Sequence, residues 1–125
     1  MPRTACLKGT RWMSLPPAEQ VPLDREHLRR TTLGDAALER EVLGMFLKQA
    51  ARLVAALAVL PPETRTLTHT LKGSARAIGA YLVAEHADRL DVAIRDGGDA
   101  AQALVGLNAA VADARAAIEA ILARP

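Results

Sequence analysis

Four residues between positions 69 and 76 have types and spacing that could carry chemistry. His69, Lys72, Gly73 and Arg76 lie at i, i+3, i+4 and i+7, so on an α-helix they share one face. A histidine ring can accept a phosphoryl group on nitrogen, and its neutral, nucleophilic form is available near neutral pH. Lys72 could meet the negative charge of that group, and Gly73 leaves space beside the ring. The pattern favours a phosphoryl-carrying site that a second protein can reach.

His69 and Gly73 each have a plainer interpretation. For a lone histidine on a polar helix face, solvation alone would account for the residue. Glycine inside a helix costs about 1 kcal/mol relative to alanine, however. Close helix contact explains Gly73 poorly, because Leu71, Ala75 and Ile78 place the apolar face on the opposite side. The combination of lysine, glycine and histidine therefore favours phosphoryl chemistry over simple exposure.

The sequence lacks the residue patterns that metal and nucleotide sites need. His27, His69 and His86 do not have a metal-binding spacing such as HExxH, and Asp24-x-x-His27 is a single copy of a pattern that bundle metal sites need twice. The sequence contains no glycine-rich loop of the P-loop or kinase type. It therefore predicts no metal, no cofactor and no ATP site. Whether the chain is an enzyme stays open, because it would be a phosphocarrier without a kinase domain of its own.

Apolar periodicity predicts the helices that must position this face. They are a short helix over 24–32 that begins at Asp24, a helix from Asp35 to about 60, a helix over 63–79, a helix over 82–96 that ends at Gly97-Gly98, and a last helix after Asp99. Their predicted inward positions include Leu38, Met45, Leu53, Leu71, Leu90, Ile94, Leu107 and Ile118. The fold class is therefore all-α, an antiparallel up-down-up-down four-helix bundle with a short extra N-terminal helix.

Composition agrees with this fold and limits the partners. Of the 125 residues, 50% are hydrophobic and only 2% are aromatic. An aliphatic core favours packed helices over a sandwich or barrel. The scarcity of aromatic rings disfavours RNA or single-strand binding by base stacking. The net charge of +2 requires neither a nucleic acid nor a membrane partner.

The compartment is predicted from what the sequence lacks. The single cysteine, Cys6, cannot form an internal disulfide. The longest apolar run, 53–60, is too short to span a bilayer, and the N-terminus has no apolar signal-peptide core. We therefore expect a cytoplasmic protein.

The N-terminus is predicted to lie outside the bundle. Residues 1–22 contain Gly9, Pro16, Pro17 and Pro22 and show little apolar periodicity, which indicates a tail that is either flexible or docked on the bundle through Trp12. Met13 is an alternative start site. Residues 23–125 are predicted to form one domain.

The sequence resembles that of histidine-containing phosphotransfer (HPt) domains. The run His69-Thr70-Leu71-Lys72-Gly73-Ser74, followed by Gly79-Ala80, is similar to the family signature. Leu33-Gly34-Asp35, Phe46-Leu47 and an acidic position before a glycine-rich turn follow the same pattern, over about 24–122. The resemblance implies a four-helix bundle that serves as a phosphorelay intermediate.

The resemblance also implies roles for individual residues. His69 would be phosphorylated, Lys72 would stabilise the phosphoryl group, and Gly73 would give a partner clearance. The family commonly has Gln or Glu on the next helix to support the imidazole, and this position falls on the shorter Asp91. Thr68, where the family often has Ala, is a further departure, as is Tyr81.

The partners would be receiver domains of response regulators, a hybrid sensor histidine kinase, or both. Arg65 and Arg76 extend a basic strip around His69, which is either a solvated face or a surface for the acidic pocket of a receiver. A monomer is expected for a closed bundle of this size. Two alternatives differ in class. One is a helical adaptor without phosphotransfer, and the other is a weak nucleic-acid or membrane binder based on Arg29, Arg30 and the tail.

Overall fold

The computed structural model describes residues 20–124, and these form five helices without a strand. The helices are α1 (Arg25–Thr31), α2 (Ala36–Leu57), α3 (Thr64–Ile78), α4 (Tyr81–Asp96) and α5 (Ala100–Leu122). Helix α3 packs against α4 and α4 against α5, while α2 closes the bundle against α3 and α5. The short α1 packs on α3. The predicted all-α four-helix bundle with an extra N-terminal helix is confirmed.

Three aspartates begin helices as the sequence predicts. The side chains of Asp24, Asp35 and Asp99 accept hydrogen bonds from backbone N–H groups three residues later, which satisfies donors that the first helical turn leaves unpaired. Gly79 and Gly97 end α3 and α4 in the left-handed conformation that glycine adopts without strain.

The core is built from leucine, isoleucine, valine and alanine. Leucines of α1 to α5, among them Leu28, Leu43, Leu71, Leu90 and Leu107, are fully buried. Buried alanines lie between them and let the helix axes approach closely, so the single phenylalanine is enough for a packed interior.

The inward stripes are narrower than predicted. In α2 the buried row steps by three and four through Leu43, Phe46, Ala50, Leu53 and Leu57. Leu38 and Met45 fall outside this row and are 41% and 63% exposed. Ile94 follows the row of α4, but it lies in the last turn and stays exposed.

The end of α2 also differs from the prediction. The helix ends at Leu57, not near position 60. Leu60 has a positive φ of 47° and donates its N–H to the Leu57 carbonyl in a turn. Pro61 follows, and a residue before proline is disfavoured in the helical conformation.

The predictions for Cys6, Trp12 and Met13 concern residues outside the described part of the chain. The boundary between a tail 1–22 and a domain 23–125 stays a prediction.

Candidate functional site

Helix α3 presents His69 to solvent while its opposite face holds the helix in the bundle. Leu71, Ala75 and Ile78 are buried, whereas His69 is exposed. Thr68 is also buried, and its hydroxyl donates to the Arg65 carbonyl at 2.9 Å, so this polar side chain is satisfied within its own helix. The orientation follows from the 3.6-residue period, as the sequence predicts.

The three histidines have different surroundings. The His27 ring lies between Tyr81 and the carbonyl of Ala77, and it holds α1 against the junction of α3 and α4. His86 is half-buried in the α4–α5 interface, where burial lowers its pKa and the Arg89 charge lowers it further, while Glu85 opposes the shift. His69 is the exposed one of the three. Accessibility to a partner therefore favours His69 as the reactive ring.

His69 lies in an open groove of about 330 Å³ between α3 and α4. Helix α3 contributes Arg65, His69 and Lys72 to the lining, and α4 contributes Asp88 and Asp91. An exposed imidazole thus shares a groove with two cations and two carboxylates.

Lys72 is bound across the groove. Its Nζ lies 3.1 Å from Oδ1 of Asp88, and both side chains are partly buried. Asp88 was not among the predicted site residues. Its only signal was the spacing of three residues from Asp91, which places both carboxylates on one face of the predicted helix.

Asp91 is brought into the His69 groove, as the count along the sequence implies. Its Oδ1 accepts a hydrogen bond from Nε of Arg65 at 3.0 Å, and its Oδ2 lies 3.6 Å from Nη1 of Arg95. Within residues 20–124 the His69 ring makes no hydrogen bond. Support of the imidazole by Asp91 stays a prediction.

Gly73 and Arg76 lie on the exposed side of α3. A Cβ on Gly73 would meet no atom within 4 Å, so packing among the described residues does not explain this glycine. Arg76 is exposed in the last turn of α3 and does not line the His69 groove. The structure places Arg65 in the His69 groove and leaves Arg76 outside it, further along the helix.

A second groove of about 470 Å³ lies on the other flank of α3, against α2. Apolar side chains, among them Met45 and Phe46, form part of its lining, and Lys48 and Arg52 add positive charge. This groove was not predicted, because the apolar period of α2 assigns Met45 to the core.

Residues 20–124 also lack the features of a metal site and of a membrane span. No group of three or more His, Cys, Asp or Glu side chains is placed to hold a metal ion. No helix there combines the length and the hydrophobicity that crossing a bilayer requires.

Comparisons with known proteins give one match. Residues 41–123 match the family model of the Hpt domain. Neither the curated proteins nor the solved structures give a match. The matched range contains α3, α4 and every residue of the His69 groove.

Proposed function

The chain belongs to the Hpt domain family, whose role is histidine phosphotransfer in phosphorelays, and from this premise we propose that His69 is its phosphorylated residue. The protein would carry a phosphoryl group between the aspartates of receiver domains. The observation that carries the proposal is the exposed imidazole of His69 in one groove with Lys72, next to the open space at Gly73.

The transfer balances with the groups that this chain and a receiver supply. A ring nitrogen of His69 attacks the phosphorus of an aspartyl phosphate, and an N–P bond forms. The P–O bond to the aspartate breaks, and its electron pair returns to the carboxylate. The proton on the other ring nitrogen passes to water. The reverse reaction delivers the phosphoryl group to a second receiver.

Lys72 and Gly73 have complementary roles in this proposal. The Lys72 ammonium lies one turn from His69 and donates to phosphoryl oxygens, in place of part of its present contact with Asp88. Gly73 gives the receiver backbone room to approach the ring. Asp91 lines the groove from α4 and would support the imidazole of His69.

Arg65 and Arg76 would meet the partner. A receiver surrounds its phosphorylated aspartate with carboxylates and a divalent cation, so the cation and the acidic residues belong to the partner. Basic side chains at the two ends of the exposed α3 face complement such a pocket and orient the encounter. The partners are receiver domains, a hybrid sensor histidine kinase, or both, and the protein acts as a cytoplasmic monomer.

The test is phosphotransfer from a phosphorylated receiver to the full chain, read as acid-labile label on this protein. We expect the label on the wild type and none on His69→Gln. His86→Gln is the matched control, because it removes a histidine that lies in the α4–α5 interface, and it should keep the label.

Label that persists on His69→Gln would refute the assignment. A receiver that binds the wild type tightly without any transfer would instead support the alternative, a helical adaptor. The two results differ in whether phosphorus moves, so one experiment separates the two functions.

A further inference from the structure

The two cations of the His69 groove are each held by a carboxylate of α4. Nε of Arg65 lies 3.0 Å from Oδ1 of Asp91, and Nζ of Lys72 lies 3.1 Å from Oδ1 of Asp88. The two ion pairs cross the same groove, on either side of His69 along α3. Arg65 is therefore held at the wall of the groove that His69 also lines.

Arg65 has hydrogen-bond donors that its contact with Asp91 does not use. A guanidinium carries five N–H groups, and the contact with Asp91 uses the one on Nε. Within residues 20–124 the two terminal NH₂ groups make no hydrogen bond. Asp91 thus fixes the inner end of the guanidinium and leaves the outer end for another acceptor.

Helix geometry brings the His69 ring toward this donor. Side chains on an α-helix lean toward its N-terminus, so the ring covers the turn that precedes it, where Arg65 lies at i−4. Lys72, at i+3, leans back toward the ring from the other side. A group attached to the ring would lie between the two cations.

The charges in the groove favour a second donor to the phosphoryl group. Arg65 and Lys72 contribute two positive charges and Asp88 and Asp91 two negative ones, so these four side chains sum to zero. A phosphoryl group adds about −1.5 to −2 charge near neutral pH. Lys72 alone, shared with Asp88, would leave much of this charge unmatched.

We propose that Arg65 is a second phosphoryl-binding residue, and that Asp91 is the positioning residue that aims its guanidinium at the phosphoryl group. This inference rests on the proposed phosphorylation of His69. Oxygens of the phosphorylated ring accept hydrogen bonds from the NH₂ groups of Arg65, while Asp91 keeps its contact with Nε. Arg65 therefore acts on the phosphoryl group itself, beyond any contact with a receiver.

The test removes the receiver from the reaction. The full chain is phosphorylated with phosphoramidate, in which a ring nitrogen forms the N–P bond and the donor's P–N bond breaks with loss of ammonia. The ³¹P signal of the phosphohistidine is then titrated with pH. A cation in contact with a phosphoryl group lowers the titration midpoint of that group. Arg65→Ala should therefore raise the midpoint, by about 0.5 pH unit for a contact that is partly exposed to solvent.

Matched variants separate contact from charge and from folding. Arg115→Ala removes the same charge from an exposed site on α5 and should leave the midpoint unchanged. Asp91→Asn and Asp91→Leu remove the same negative charge, but only asparagine keeps an oxygen for Nε of Arg65. We expect a higher midpoint for Asp91→Leu than for Asp91→Asn. Unfolding curves of all variants check that the bundle is intact.

Three results would overturn the inference in different ways. An unchanged midpoint in Arg65→Ala would refute the phosphoryl contact. Equal midpoints in the two Asp91 variants would refute the positioning role. A phosphohistidine signal that persists in the His69→Gln variant would refute the proposed function, and the inference with it.

Discussion

Gly73 lies in the middle of α3, where glycine is a poor helix former. It lacks a side chain at a position where a side chain would meet no atom of the described structure. Its replacement by alanine should therefore stabilise the bundle by about 1 kcal/mol, because glycine is the poorer helix former. Gly44→Ala in α2 is the matched control, since its Cβ would also be in open space. Urea unfolding should give similar gains for both variants.

The functional part of the same prediction needs a larger side chain. Gly73→Trp should block phosphotransfer from a receiver, because the indole would occupy the space where the partner approaches. Gly44→Trp carries the same bulk on α2, outside both grooves, and should transfer normally. Normal transfer by Gly73→Trp would contradict the clearance role, and lower stability of Gly73→Ala would show that the glycine is needed by the fold.

Residue types and helical spacing were enough to place His69, Lys72 and Gly73 on one exposed face, because that face depends only on the period of a single helix. The partners of those residues depend on how α3 and α4 are registered against each other. Sequence spacing does not contain that register, so the pairing of Lys72 with Asp88 and of Arg65 with Asp91 could not be predicted.

At the scale of elements, the corner between α3 and α4 depends on Gly79. This residue has φ 88°, and a Cβ there would lie 2.7 Å from the carbonyl oxygen of Asp24. The Asp24 N–H also donates to the Gly79 carbonyl at 2.9 Å, and His27 contacts the Ala77 carbonyl nearby. The glycine thus ends α3 and admits the start of α1 at the same point.

Gly79→Ala should therefore destabilise the protein more than a left-handed conformation alone would. Gly97→Ala is the matched control, since Gly97 has φ 72° and open space around its Cβ position. We expect a loss of about 1 kcal/mol for Gly97→Ala from backbone strain. The loss for Gly79→Ala should be at least about twice as large, because the clash with Asp24 adds to the strain. Equal losses in urea unfolding would contradict the close approach of α1.

Helix ends that carry a chemical signal were predictable, and those without one were not. The caps at Asp24, Asp35 and Asp99 follow from a side chain that can accept a backbone N–H. The end of α2 has no such residue. Pro61 limits the length of the helix. The turn over residues 58–60 precedes this proline, so the helix ends at Leu57 and is shorter than the apolar pattern indicates.

At the scale of the whole molecule, α4 has two polar sides. Asp88 and Asp91 face the His69 groove on α3. On another side His86 meets α5, where a Cβ on Gly106 would lie 2.9 Å from its Nδ1. The sequence predicts α4 as a helix with an apolar inner row, and that row is present. The position of the His86 imidazole in the α4–α5 interface was not predicted, and it links the stability of the bundle to pH.

His86 should make the folded bundle less stable in mild acid. In the unfolded chain its ring takes up a proton at the ordinary pKa of 6.5, whereas burial lowers the pKa in the folded protein, with Arg89 adding to the shift and Glu85 opposing it. As the pH falls below 6.5 the unfolded state therefore binds more protons than the folded one, and the free energy of unfolding decreases until the folded protein is protonated too. Above 6.5 this contribution is fully present.

Urea unfolding at about pH 7.5 and about pH 5.5 should show a smaller loss of stability for His86→Gln than for the wild type, because glutamine has no proton to gain. A loss in His86→Gln equal to that of the wild type would show that other groups govern the acid response.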